Sequence, residues 1–142
     1  MNYDLGEPGC GLVPELFPLN QMHVIRLEDK FAQFTDHWNP RVIGELNDQH
    51  IKIARVQGEF IWHNHAQEDE LFMVVRGQLL IDFRDGTTTE LNPGELLVVP
   101  RGTDHRPHCA AETWIMMIEP KSTVNTGNQT ASERTRTQLE QI

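Results

Sequence analysis

Two histidines and a glutamate have types and a spacing that suggest chemistry. His63 and His65 are separated by one residue, and Glu70 follows at the start of an apolar segment, Leu71 to Val75. On a strand, alternate side chains share a face, so the two imidazoles are expected on one side, roughly 6.5 Å apart along the chain. After a short bend, Glu70 can return a carboxylate to the same pocket. Imidazole with carboxylate favours a transition metal such as Zn, Mn, Fe, Ni or Co.

A pair of histidines by itself also fits a half-exposed polar strand end, because histidine needs no metal to be tolerated there. A second stretch favours the metal interpretation. The apolar strand Leu96 to Val99 ends at a Pro-x-Gly turn that begins at Pro100, and His105 follows shortly after it. The sequence therefore places a third imidazole, that of His105, at the start of a strand.

Both stretches resemble the paired motifs of the cupin superfamily. In the first, the spacing of His63, His65, Glu70 and Gly77 fits the family, although only four residues separate Gly58 from His63 where the family has five.

In the second motif, Gly94, Pro100, Gly102 and His105 fit the family spacing, while Cys109 stands where the family has Asn. That position usually lies outside the metal shell, so the difference is expected to affect packing more than coordination.

The resemblance implies an all-β fold, a double-stranded β-helix or jelly-roll barrel. It also implies one divalent transition metal per chain (Fe, Mn, Zn, Ni or Co), bound by His63, His65, Glu70 and His105. The tail from Glu119 looks like that of small stand-alone bacterial cupins often labelled mannose-6-phosphate isomerase-like.

Three functions stay open, because a shared fold does not choose among them. The first is a metal-dependent oxygenase (a dioxygenase, for example) or isomerase/lyase that acts on a small polar metabolite. It is favoured because structural zinc sites are usually closed and Cys-rich. The second is a non-catalytic small-ligand binding or sensing protein. The third, a sugar-phosphate isomerase, is disfavoured because no inward basic side chain is predicted: Arg101 lies in a turn and Arg106 faces away from His105.

The elements that position these residues follow from periodicity and turn residues. We predict an irregular N-terminal lead over residues 1–22, a barrel over 23–120, and a polar, partly helical C-terminal tail over 121–142. Leu27, Phe31 and Phe34 form the stripe of one short helix that ends by Asn39-Pro40. Strands are predicted over 42–46, 51–56, 59–65, 70–75, 79–83, 87–91, 96–99, 105–110 and 113–118.

Composition narrows the partners. The 142 residues allow one domain, and 38% hydrophobic with 23% charged residues is ordinary for a globular protein. A net charge of −9 with only 12 scattered Lys and Arg argues against nucleic acid and anionic membranes. No run approaches the roughly 20 apolar residues of a spanning helix, and no signal peptide is evident, so the cytoplasm is expected. Cys10 and Cys109 are expected to be free thiols.

The strands Leu71 to Val75 and Leu96 to Val99 are apolar on both faces. Something must therefore cover the outside of the barrel: the N-terminal segment and tail, or a second subunit. We predict a homodimer.

Four further residues near the motifs are given ordinary roles. His108 has the wrong strand parity to join His105 unless a bulge turns it inward. Cys109 is expected to pack as a small apolar side chain. Glu68 and Asp69 are expected to be solvated residues of the bend.

Overall fold

The computed structural model describes residues 22–142, and β-strands dominate this part of the chain. One helix precedes seven strands: α1 (Leu27–Phe31), β1 (Arg41–Leu46), β2 (Gln49–Glu59), β3 (Glu70–Arg76), β4 (Leu79–Phe83), β5 (Thr88–Leu91), β6 (Leu96–Val99) and β7 (His105–Pro120). The predicted all-β barrel with one short helix is confirmed. Except for Met22, the lead predicted over 1–22 lies outside the described residues, as does Cys10. No helix within residues 22–142 is both long and apolar enough to cross a membrane.

The long strand β7 organises the sheet. It pairs antiparallel with β2, β3 and β4, and the strand order is β1-β2-β7-β3-β6, with β4 also pairing β5. The sequence predicted two strands here, 105–110 and 113–118, but β7 continues for 16 residues. The reason is that β7 stays paired with β2 on both sides of a bulge, in which residues 110–112 of β7 lie opposite the single residue Gln57 of β2.

The strand predicted over 59–65 is not formed. After the bulge, Gly58 adopts a φ of 79°, and β2 ends at Glu59. The segment that follows returns to the sheet at one bridge, where His63 and His105 exchange both backbone hydrogen bonds, of 3.1 and 2.9 Å. The loop that carries two of the candidate ligands is therefore fixed at one of them.

The interior of the barrel is lined by alternate side chains of the strands. The buried inner cluster consists of Trp38, Ala54, Val56, Phe60, Phe72, Val74, Leu79, Ile81, Leu91, Val99, Cys109, Ile115 and Met117. Cys109 is a free thiol within this cluster, in agreement with its predicted packing role. Burial raises the pKa of that thiol.

A second cluster covers the outer face of β2. Phe31 of α1 and the nearby Phe34 pack against Ile53, and Ile142 at the end of the tail joins them. The helix ends at Phe31, well before Asn39, and the guanidinium of Arg55 donates two hydrogen bonds, of 2.8 and 3.2 Å, to the free Phe31 carbonyl. Of the predicted stripe, Phe31 and Phe34 are thus buried and Leu27 is partly buried, although Phe34 lies beyond the helix.

The tail, residues 121–142, contains turns and no helix, so the prediction of partial helicity was wrong. The side chain of Asn125 donates to the Arg134 carbonyl at 2.7 Å and accepts from the Arg136 amide at 2.8 Å. Such side-chain bonds occupy backbone groups that a helix would need. The last residues instead run beside β1, where the Ile142 amide donates to the Val42 carbonyl at 3.1 Å.

Candidate metal centre

The structure brings the four predicted metal ligands together. His63, His65, Glu70 and His105 are all buried, with at most 4% of each exposed, and one potential ligand atom from each lies within 4.8 Å of all the others. They come from the loop after β2, the first residue of β3 and the first residue of β7. An ion with bonds of about 2.1 Å separates its ligand atoms by roughly 3 to 4 Å, so this group needs only small adjustments to share one ion.

Backbone carbonyls orient two of the imidazoles. Nδ1 of His63 donates to the carbonyl of Ile61 at 2.9 Å, and Nδ1 of His105 donates to the carbonyl of Thr103 at 2.8 Å. Because a carbonyl can only accept, the hydrogen of each neutral ring is on Nδ1 and the lone pair is on Nε2. Fixing the tautomer through the other ring nitrogen is what histidine ligands of metals commonly do.

The third imidazole has an unpartnered nitrogen. Nε2 of His65 is buried without a hydrogen-bond partner, although Oε2 of Glu70 is 3.4 Å away. Nε2 of His105 lies 3.3 Å from Oε1 of the same carboxylate. Leaving a buried polar atom unpaired costs about 1–3 kcal/mol, which a shared cation would offset. The residues present therefore fit one divalent transition metal, whose ligands are imidazole and carboxylate.

The environment favours the deprotonated forms of two of these ligands, His63 and Glu70. Burial, reinforced by the nearby His105, lowers the pKa of His63 to about 4. Burial opposes ionisation of Glu70, but the hydrogen bond from Glu119 and the nearby imidazoles of His105 and His65 outweigh it and hold the pKa of Glu70 well below its usual range. Metal ligands must be deprotonated to bind, so His63 and Glu70 are ready for a cation at neutral pH.

A second buried polar group, which the sequence interpretation missed, lies beside the first. Nζ of Lys52 donates to Oε1 of Glu119 at 2.7 Å, and both residues are 1% exposed. The prediction that no basic side chain faces inward was therefore wrong. Lys52 alternates with Ile51 and Ile53, which looks like a polar outer face, but those isoleucines pack on the outer cluster and Lys52 faces inward with Ala54.

Glu119 is held between Lys52 and the candidate metal centre. Burial raises the pKa of Glu119 well above its usual range, and the negative charge of Glu70 raises it further. As a carboxylic acid, Glu119 can donate to Glu70. As a carboxylate, its Oε2 has no hydrogen-bond partner among the described residues. A cation bound to Glu70 would neutralise the charge that favours the acid form.

A small, largely apolar cavity adjoins both polar groups. Its lining includes Trp38, Pro40, Ala54, Val56, Phe60, His63, Glu70, Phe72, Pro107, Ile115, Met117, Glu119 and Asn125. The volume open to the centres of water molecules is about 30 Å³, which is enough for roughly two or three waters. Phe72 is part of the apolar lining of the cavity, Val74 lies in the inner cluster, and Ile61 packs against that cluster.

The remaining polar residues near the motifs are placed as the sequence predicted. Asp82 accepts from Arg106 at 2.9 Å and from His108 at 3.0 Å, so both basic residues face away from the cavity. These contacts, the Arg106 hydrogen bond first, hold the pKa of Asp82 far below its usual range. Arg101 lies in the turn after β6 and pairs with the exposed Asp69 at 3.2 Å.

Glu68, like Asp69, makes its contact outside the metal centre. It accepts from the Ser122 hydroxyl at 3.1 Å, and this hydrogen bond links the bend to the tail.

The comparisons with known proteins agree with the fold. A family model described as a cupin domain matches residues 51–119. The Bacillus subtilis (strain 168) protein YdbB is 38% identical over 95 residues, which cover 67% of this chain and 78% of YdbB. The chain belongs to the cupin-2 domain family.

Two solved structures share the architecture. A cupin-2 domain containing protein from Shewanella frigidimarina NCIMB 400 is 49% identical with a TM-score of 0.68, and the match covers 69% of this chain and 95% of that one. Protein NMB1881 from Neisseria meningitidis is 27% identical with a TM-score of 0.65, and the match covers 70% of this chain and all of the other. The barrel described here is thus the fold of small bacterial cupins.

Proposed function

We propose that this cupin binds one divalent first-row transition metal through His63, His65, Glu70 and His105, and that it is a metal-dependent enzyme. The reaction class proposed is that of an oxygenase or an isomerase/lyase acting on a small polar metabolite. The observation that carries the proposal is the buried, unpartnered Nε2 of His65 within a group of four converging ligand atoms.

The chemistry follows from the number of ligands that the chain supplies. Four protein ligands leave two places on a six-coordinate ion, at which it can act as a Lewis acid or a redox centre toward a bound molecule. The chain's own residues prepare this site: carbonyls fix the rings of His63 and His105, and Phe60 and Phe72 pack edge-on against those same rings, at centroid distances of 5.2 and 6.0 Å. Aromatic walls of this kind exclude water from the reacting atoms.

The cavity favours small oxygen-rich chelators over phosphates. A hydroxy acid, a keto acid or a diol can fill two metal positions with two oxygens. Phosphate is disfavoured because the cavity already presents the carboxyl groups of Glu70 and Glu119, while the ammonium of Lys52 is engaged by Glu119 at 2.7 Å. A sugar-phosphate isomerase would need a free cationic group there.

Calorimetry on metal-loaded protein tests this proposal. Hydroxy acids and keto acids are expected to bind, sugar phosphates are expected to bind no better than the free sugars, and the Glu70→Gln variant should lose the binding together with its metal. Binding of a sugar phosphate but not of its dephosphorylated form would contradict the ligand class. Consumption of the bound acid, with or without dioxygen uptake, separates an enzyme from a non-catalytic binding protein.

For assembly, we propose a homodimer that covers the outer face of β3 and β6. Leu96 and Val98 on β6 are 56% and 49% exposed, and their register partners on β3 are Met73 and Leu71. Exposed apolar side chains on a strand at the end of a sheet are commonly covered by another chain.

Light scattering at micromolar concentration is expected to give a dimer mass, and the double substitution Leu96→Lys with Val98→Glu to give a monomer. A matched substitution on an exposed polar site, Thr88→Lys, should leave the dimer intact. A monomeric mass for the unaltered protein would contradict the assembly.

A further inference from the structure

We propose that Trp38 determines which chelators the site accepts, because its indole closes one side of the cavity at the metal centre. This inference rests on the proposed function and specifies its ligand class. That class is a short hydroxy or keto acid in which the chelating carbon carries no substituent larger than a methyl group. The indole would contact the substituent of the ligand and not the metal.

The first support is the backbone of Trp38, which has a φ of 56°. A bulky side chain rarely adopts this left-handed conformation, and the strain persists only where the surrounding contacts hold it. Strand β2 supplies two such contacts: the Trp38 amide donates to the Arg55 carbonyl at 3.0 Å, and the indole Nε1 donates to the Gln57 carbonyl at 2.8 Å. Residues strained in this way are concentrated at ligand sites, which points to a role for the indole beyond filling space.

The second support is the place of the indole. Trp38 is 6% exposed and lines the cavity together with His63 and Glu70, two of the four candidate metal ligands. Its ring stacks on Phe60 at a centroid distance of 4.9 Å, and Phe60 packs edge-on against the imidazole of His63 at 5.2 Å. One aromatic ring therefore separates the indole from a metal ligand, so the indole is within reach of a substituent on a chelating acid.

The third support is that the tail also restrains the indole. The guanidinium of Arg134 lies 5.6 Å from the centre of a Trp38 ring and donates to the Glu59 carbonyl at 3.2 Å. The indole therefore combines a cation–π contact with an aromatic stack and a hydrogen bond of its own. It cannot swing aside for a larger ligand without breaking these contacts.

The free volume beside the indole limits the size of the ligand. About 30 Å³ of the cavity is open to the centres of water molecules, which is room for roughly two or three waters. When two oxygens of an acid bind the ion, this space has to hold the carbons of the chelating unit and their substituent. A hydrogen or a methyl group can be accommodated, whereas a branched substituent would overlap the lining.

Glycolate, lactate and 2-hydroxy-3-methylbutanoate test the inference, because they chelate alike and differ in that substituent. Co²⁺-loaded protein is used because its visible absorption reports entry of an acid into the coordination shell, while calorimetry gives the dissociation constants. In the unaltered protein, glycolate and lactate should bind similarly. The branched acid should bind about tenfold more weakly or worse, because overpacking a close-packed site is unfavourable.

Trp38→Phe should bind the branched acid about tenfold more tightly than the unaltered protein does, because the smaller ring leaves the space that the branched group needs. Its affinity for glycolate should change little. Trp62→Phe is the matched control and should keep the size preference. Trp62 is not among the described residues that line the cavity, and the guanidinium of Arg84 lies 3.9 Å from the centre of a ring of its indole.

A further measurement leaves Trp38 unaltered and answers the question if Trp38→Phe does not fold. The chain has three tryptophans, so Trp62→Phe with Trp114→Phe makes Trp38 the sole one. The tryptophan fluorescence of this variant, loaded with Zn²⁺, should change when lactate binds.

The outcomes separate the two proposals. Equal affinities for the three acids in the unaltered protein, a size preference that Trp38→Phe leaves unchanged, or lactate binding without a change in Trp38 fluorescence would overturn the role of Trp38. In each case the cobalt spectrum would still report chelation. If the protein takes up no Co²⁺, or if no acid changes its spectrum, the proposed function fails and the inference fails with it.

Discussion

Two buried polar groups share the interior of one barrel, and they are completed in different ways. In the ligand group, Nε2 atoms and carboxylate oxygens face one another, and one of them, Nε2 of His65, has no partner. In the Lys52–Glu119 pair, an ammonium lies 2.7 Å from a carboxylate oxygen, so the chain itself supplies both opposite charges. The first group needs a cation from outside, whereas the second is satisfied internally except at one oxygen. Burial alone therefore does not identify a metal site; the convergence of four potential ligand atoms with no cation among them does.

The largest loss of stability is expected from disrupting the Lys52–Glu119 pair. Lys52→Met leaves the Glu119 carboxyl group buried without its ammonium, and removing one partner of a buried pair typically costs about 3–5 kcal/mol. Urea denaturation of the metal-free variant should show that loss in the free energy of unfolding.

The double variant Lys52→Met with Glu119→Leu is the control for this prediction. It removes both charges and should recover most of the lost stability, because a well-packed apolar replacement of a buried pair is often neutral. A double variant as unstable as the single one would mean that the barrel depends on the shape of these residues rather than on their charges.

The second-largest effect expected is a pH dependence of the free energy of unfolding of the metal-free protein, which arises in the ligand group. Burial lowers the pKa of His63 from 6.5 to about 4, so between these values the unfolded chain binds a proton that the folded chain does not. The free energy of unfolding should therefore fall as the pH falls through this window, by about 2 to 3 kcal/mol at pH 4.5 from this residue. The raised pKa of Glu119 acts in the opposite direction, because there the folded chain binds the extra proton.

Comparison with His63→Gln isolates the histidine from Glu119. Denaturation at pH 7 and pH 4.5 should show a smaller loss of stability in the variant than in the unaltered protein. Equal losses in both would mean that His63 does not resist protonation when folded.

The sequence predicted the ligand group better than the pair, for a physical reason. Motif spacing reports which backbone positions meet at one end of the barrel, and the bridge between His63 and His105 holds that arrangement even though no strand forms over 59–65. Lys52 could not be assigned a face, because Ile51 and Ile53 on the opposite face are covered by the outer cluster. A strand buried on both sides loses the alternation that tells inside from outside.

The tail was misjudged for a different reason. Its helix-favouring composition is outweighed by the hydrogen bonds of Asn125 to the backbone of Arg134 and Arg136, which are eleven or fewer residues away but are paired only in the folded chain. No local pattern reports such bonds. The sequence also gave no sign that Gly127 of the tail would press against the segment that carries His65.

The smallest effect expected comes from the contact of Gly127 with the Asn64–His65 segment. This contact supports the ligand group and not the Lys52–Glu119 pair. At Gly127 a Cβ would overlap the Asn64 carbonyl oxygen and lie 3.2 Å from Nδ1 of His65. Gly127→Ala should therefore cost about 1–2 kcal/mol and weaken metal binding by displacing His65.

Gly102→Ala is the matched control for this contact. Gly102 also has a left-handed backbone, with a φ of 76°, and its amide donates to the His65 carbonyl at 2.8 Å, but no atom lies within 4 Å of a Cβ placed there. It should share the backbone strain and keep the metal affinity. Equal losses of affinity in both variants would assign the effect to strain rather than to contact with His65.

Metal content is the measurement that tests the central claim most directly. Protein purified without a chelating column is expected to contain about one first-row transition metal ion per chain by elemental analysis. The variant His63→Ala with His105→Ala should contain almost none while its circular dichroism still shows a folded β-barrel, and Lys52→Met with Glu119→Leu should keep its metal. A folded His63→Ala, His105→Ala variant with full metal content would contradict the account.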